Sequence, residues 1–162
     1  MSKHAASLAV LLGLLGSIGC ETEPGALNPT PLSSTLSTSV NVQPSVVAAE
    51  SISRPSCPTL PPFAGSLSVN VQATGEIGVS LQRVQMTFTD TVGLTAPQVT
   101  LPAPVLTRQF GSTLVEARSQ RTFPFTFPFG CNTRRTGTLV VVVTVNDDHG
   151  RETTTEARVP VR

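Results

Sequence analysis

From about residue 63 to Arg162, apolar and polar residues alternate in short runs separated by turn signals, the pattern of strands in an antiparallel sheet. In "SLSVNVQA", Leu67, Val69 and Val71 share one face, because successive side chains of an extended chain point to opposite sides. "GEIGVSLQRVQMTFTD" places Val84, Met86 and Phe88 on one face, whereas Val79 and Leu81 have the opposite parity. That switch predicts a bulge near Gln82 and Arg83, and "DTVG" then breaks the run. "PQVTLPAPVLTRQF" reads as two short strands interrupted by prolines. "TGTLVVVVTVNDDHGRETTTEARVPV" predicts a long hairpin. Its first arm is apolar on both faces, as in a central strand covered on both sides, and its second alternates Thr153, Thr155, Ala157, Val159 and Val161. Between the arms, Asn146, Asp147 and Asp148 can bond their own backbone, and Gly150 can take positive φ.

The segment "RTFPFTFPFGC" carries Phe123, Phe125, Phe127 and Phe129 at one parity and Pro124 and Pro128 at the other. All four rings therefore face one way, and a chain with so few aromatics is expected to bury them in its core. Alternate backbone N–H groups of a strand point to the same lateral side, so both missing donors fall on one side. The strand is expected to pair through its Phe residues and to present its proline side as a protected sheet edge.

Upstream of this pattern the text changes. From Glu21 to Pro62, Pro, Ser and Thr dominate, with no aromatic residue and no sustained apolar periodicity. Such a segment buries too little surface to offset its ordering entropy and reads as a disordered tether. Short pieces such as "SVNV" and "SVVAA" are candidates for docking on a partner. Before it, Lys3 precedes an apolar run from Ala5 to Leu15 and then small residues, the layout of a secretory signal. The run falls short of the about 20 apolar residues that a membrane span requires.

Composition narrows the chemistry. The formal net charge is +1, with eleven basic residues of which Lys3 is the single lysine. That balance gives no field to steer nucleic acid, and the Arg134–Arg135 pair reads as a solvated loop. Seven Phe and no Trp or Tyr leave few stacking platforms for a ligand. Beyond the leader, His149 is the only histidine, and it sits in a turn without an evident nucleophile to serve. Glu76, Asp90, Glu116, Glu152 and Glu156 fall on different segments, so no carboxylate pair is apparent. One His and two separated Cys do not make a zinc site. Neither a cofactor nor a small-molecule substrate is indicated, and the chain is expected not to be an enzyme. Asn146, Asp147 and Asp148 are weak calcium candidates, since adjacent carboxylates do not present the alternating ligands of a calcium loop.

The three cysteines carry more information. "Ser17-Ile18-Gly19-Cys20" resembles the lipobox of bacterial lipoproteins, with Ser17 where Leu is most common. The resemblance implies removal of residues 1–19 and a diacylglycerol thioether on Cys20, hence a lipid-anchored protein of the bacterial cell envelope. Ser17 and Gly19 would equally suit an ordinary signal peptidase, which leaves Cys20 as a free thiol on a soluble exported protein. An exported protein with an odd cysteine needs an explanation for it, and pairing Cys57 with Cys131 leaves Cys20 as the one for acylation. Such a bridge would close a loop of about 75 residues, which in the chain-entropy model is worth about 4–5 kcal/mol.

From Ser66 to Arg162, "LQRVQMTFTDTVG", "RTFPFTFPFGC" and "GTLVVVVTVNDDHGR" resemble the immunoglobulin-like and fibronectin-type-III-like sandwiches of bacterial surface proteins. The expectation is an all-β chain: signal at 1–19, tether at 20–62, and one antiparallel sandwich of about seven strands at 63–162. Its function is expected to be non-catalytic binding or structural support. The membrane would be met through Cys20, an envelope protein is a possible partner, and a calcium-binding adhesion-type module is the alternative.

Overall fold

A computed structural model describes residues 37–53, 57 and 60–162. Nine strands and one helix are present among them: β1 (Thr38–Gln43), β2 (Ala49–Ser51), β3 (Pro62–Ala73), β4 (Val79–Asp90), β5 (Val99–Pro102), α1 (Ala103–Phe110), β6 (Leu114–Val115), β7 (Gln120–Gly130), β8 (Gly137–Asp147) and β9 (Glu152–Val161). In one sheet the central β3 pairs with β1 and β2 on one side and with β7 on the other. In the second sheet β4 pairs with β8, which pairs with β9, while β5 and β6 line the other edge of β4. All these pairings are antiparallel.

Counting β1 and β2 together as strand A, the strands β3, β4, β7, β8 and β9 take the places of B, C, E, F and G. B and E then share one sheet and C, F and G the other, which is the immunoglobulin-like sandwich arrangement. The inward residues of both sheets meet in one core. It holds Leu67, Val69 and Val71 of β3, Val84, Met86 and Phe88 of β4, and Leu139, Val141, Val143 and Val145 of β8. The register of β4 against β8 shifts between Leu81 and Arg83, so Gln82 is the extra residue. That bulge returns Val79 and Leu81 to the face of Val84, and all three are buried.

Phe123, Phe125, Phe127 and Phe129 are buried together, and among the described strands β7 pairs only with β3. The Ala73 N–H to Ser119 C=O bond at the end of this ladder fixes its phase. The Phe residues of β7 therefore exchange bonds with β3, and the nitrogens of Pro124 and Pro128 face the open edge. Gly65 of β3 lies opposite Phe127. A Cβ at Gly65 would stand 2.6 Å from the Phe127 ring and 2.7 Å from Val47 Cγ1, so only glycine leaves space for both.

The structure corrects the sequence reading in three places. Thr38–Gln43 and Ala49–Ser51, read as tether, are strands of the sandwich. Val47 and Ala49 are fully buried, and the Val47 N–H donates to Pro160 C=O while Arg162 N–H donates to Val47 C=O. "SVNV" and "SVVAA" thus dock on the chain's own sheets. Alternation over so few residues is too short to identify alone, and β3 and β9 supply the missing partners.

The second correction concerns "APVLTRQF", which is helix α1 and not a strand. Its prolines lie at the helix start, where backbone N–H groups have no partner anyway. Leu106 and Phe110, four apart, face the core, and the Phe110 ring meets Phe123 and Phe125 edge-on at 5.2 and 5.4 Å. The nine described strands match the expected sandwich of about seven once β1 and β2 count as one edge strand and β6 as a two-residue pairing. Third, β8 is central but not covered on both faces. Val140 and Val142 are half-buried on the outside, flanked by Thr87 and Gln85 of β4 and by Arg158 and Glu156 of β9. Long polar side chains on neighbouring strands can shield such valines without a third layer.

Residues 1–36 lie outside the described residues, and with them the signal, the lipobox and Cys20.

Candidate functional site

The candidate calcium loop is built by the last residue of β8. Asp147 is buried, and its Oδ1 accepts the N–H groups of His149 (3.0 Å) and Arg151 (2.9 Å). Its Oδ2 accepts Arg151 Nε at 2.6 Å and faces the second guanidinium nitrogen at 2.5 Å. Gly150, at φ 75°, closes the turn by donating to Asp147 C=O at 3.0 Å. Burial of the carboxylate favours its neutral form. The hydrogen bonds and charge of Arg151, with the His149 N–H, outweigh that and hold the Asp147 carboxyl below its ordinary value.

Asn146 Oδ1 accepts Gln82 Nε2 at 2.7 Å, and Asp148 is exposed. The three oxygens offered to a cation by the sequence therefore do not converge: one is taken by the bulge residue and one by an arginine. Asp147 organises the turn, Asn146 is held by the bulge residue, and Asp148 stays exposed. Among the described residues, no group of three or more His, Cys, Asp or Glu side chains is placed to hold a metal.

The same device stands at the end of β4. Asp90 is buried, its Oδ1 accepts the N–H groups of Val92 and Leu94 at 2.9 Å, and Gly93, at φ 90°, donates to Asp90 C=O at 3.1 Å. Its Oδ2 accepts Arg134 N–H at 2.9 Å, tying the β7–β8 loop to this turn. Burial again favours the neutral form. The N–H groups of Arg134, Leu94 and Val92, with the Arg134 charge, prevail and lower the pKa. "DTVGL" and "DDHGR" are thus two copies of one D-x-x-G turn, a repeat legible in the sequence but overlooked there. Asp at the first position and Gly at the fourth are the signal for it.

Cys57 and Cys131 are joined, with their Cα atoms 5.0 Å apart. The bridge fastens the segment ahead of β3 to the end of β7, where Cys131 follows Phe129 and Gly130. Arg134 and Arg135 are exposed, as a loop pair should be, and the Arg135 guanidinium also donates to Ala49 C=O at 2.6 Å. Of the scattered carboxylates, Glu76 pairs with Arg118 and Glu156 with Arg158, each on the surface. A shallow depression of about 390 Å³ collects Glu76, Glu116, Asp148 and His149 at one end of the sandwich. It is a proximity of loops that linear spacing does not reveal. The Glu76 carboxylate there is engaged by Arg118, and the residues lining the depression include no Ser, Thr or Cys beside His149.

The remaining surface of note is the outer face of the β1–β3–β7 sheet. Ser39, Asn41 and Gln43 of β1, Ser66, Ser68, Asn70 and Gln72 of β3, and Gln120, Thr122 and Thr126 of β7 cover it with uncharged hydrogen-bonding groups. Two adjoining shallow grooves, of about 620 and 520 Å³, run across it and share Gln43, Pro44 and Ser68. The opposite sheet instead turns Arg83, Glu152, Glu156 and Arg158 outward. The uncharged face can bind by hydrogen bonding and shape.

No family model and no curated protein matches the chain. Solved structures do resemble it. A structural-genomics target designated SoR45 superimposes with a TM-score of 0.54 at 16% identity, covering 76% of this chain and 86% of the other. The putative ApaA protein from Bordetella pertussis gives 0.51 at 14% identity, with 76% and 90% covered. The ASH/PapD-like domain of human CEP192 gives 0.44 at 14% identity, with 82% and 89% covered. At these identities the likeness concerns the fold.

Proposed function

We propose that this chain is a lipid-anchored protein of the bacterial cell envelope whose β-sandwich serves as a non-catalytic binding or structural module. The observation that carries the reading is "Ser17-Ile18-Gly19-Cys20" at the end of a short apolar run behind Lys3. Two features support it. Three cysteines occur in the chain, and with Cys57 joined to Cys131 the remaining thiol is the one in the lipobox-like position. A disulfide persists most readily in oxidising compartments outside the cytosol, which supports export.

For the sandwich, the support is the character of its surface groups. Its two buried carboxylates are committed to turns, and its broadest uncharged face is polar and shallow. Binding to an envelope partner or a mechanical role needs nothing more. Anchoring would depend on acylation at more than one position, since a single chain holds a protein only marginally.

Intact mass and fractionation of the mature protein test the anchor. The expected result is a chain beginning at Cys20 that carries diacylglyceryl mass and sediments with membranes, and a Cys20→Ala chain that does not. A mature chain in the soluble fraction with an unmodified Cys20 would overturn the proposal.

A further inference from the structure

Four edges bound the two sheets, and three of them are guarded among the described residues. The β7 edge carries Pro124 and Pro128, which supply no N–H toward a newcomer. The β9 edge carries Pro160 and outward charges, and its end is already paired in parallel by Val47. The β5 and β6 edge consists of strands of four and two residues; Pro102 ends the longer one and Pro97 stands two residues before it.

The β1 edge differs. "TSVNVQ" is six residues of extended chain without proline or charge, and no described strand pairs with its outer side. The Thr74 N–H to Ser37 C=O bond sets the phase of the β1–β3 ladder. In that phase Ser39, Asn41 and Gln43 bond to β3, while the N–H and C=O groups of Thr38, Val40 and Val42 point outward. These three residues are also the inward-facing ones; they are half-buried, with Val40 and Val42 packed against the core.

We propose that β1 pairs antiparallel with β1 of a second copy, across a twofold axis at Val40. The two four-stranded sheets then become one. In this register Val40 lies opposite its own counterpart, Thr38 opposite Val42, and Ser39 opposite Asn41. All the outward-pointing N–H and C=O groups of Thr38, Val40 and Val42 are satisfied, and Val40 and Val42 gain apolar neighbours. A twofold axis sets identical strands against each other, so a strand bearing charge meets like charge. β1 avoids that repulsion because it carries none.

Sedimentation velocity of the full chain tests the pairing. The expected result is a concentration-dependent monomer–dimer equilibrium. Val40→Pro removes an N–H that β3 does not use, and the sedimenting mass should halve. Ser39→Lys combined with Asn41→Lys sets lysines opposite lysines at exposed positions that do not touch the core. That pair should raise the dimer Kd by about tenfold, with partial recovery at high salt. Thr122→Lys, on the same sheet face but on β7, should leave the equilibrium unchanged. A chain that is monomeric at every concentration overturns the proposal. So does a lysine pair that changes nothing, or a Thr122→Lys change of equal size.

Discussion

At Asp147, one buried carboxylate oxygen accepts two turn N–H groups and the other meets an arginine, so the residue fixes the β8–β9 turn. Its neighbour Asp148 is exposed and takes no comparable part. Asp147→Ala should lower Tm well beyond Asp148→Ala, since it leaves buried N–H groups without an acceptor. The pH dependence has a definite sign. The folded-state pKa of Asp147 is lowered, so its stabilisation is present above the unfolded carboxylate pKa and lost as pH falls through the lower folded value. Asp90 behaves in the same way. Thermal melts in a pH series should show Tm dropping below about pH 4, and Asp147→Asn should flatten part of that drop. The sequence displays the Asp and the Gly of each turn. It does not display Arg151 folding back on Asp147, or Arg134 reaching Asp90 from forty-four residues away.

Strand β7 shows how much of an element can be legible in advance. Ring parity and proline parity together specify a strand buried on one face and protected along one edge, because both follow from the two-residue period of extended chain. Phe127 is 2% exposed and packs against Phe129, whose ring lies 5.3 Å away, and over Gly65. Phe127→Ala should therefore cost about 3–5 kcal/mol in denaturant unfolding, near the upper range for core truncation. The β5–α1 segment shows the reverse. Two prolines near a strand end and two prolines near a helix start are the same letters. What selects the helix is the pocket that Leu106 and Phe110 fill beside β7. Arg121 completes the arrangement, donating to Phe110 C=O and Leu114 C=O while lying 5.0 Å from the Phe123 ring centre.

Across the whole molecule, the Cys57–Cys131 bridge spans a separation of 74 residues and encloses β3, β4, β5, α1, β6 and β7. Cys57→Ser combined with Cys131→Ser should lower unfolding free energy by about 4–5 kcal/mol if chain entropy dominates. That is a large share of the 5–15 kcal/mol typical of a domain, and equilibrium denaturation measures it. By itself, the sequence determined the properties that depend on local period and residue type. They are the all-β class, the bulge at Gln82, the buried ring face of β7, and the two cysteines available for a bridge. The tertiary structure alone decided that Thr38–Ser51 joins the sheets, that Ala103–Phe110 is helical, and that the Asp147 carboxylate is engaged by Arg151. Each of these outcomes turns on a partner that the fold brings near, and alternation along a chain records which way a side chain points but not what waits there to meet it.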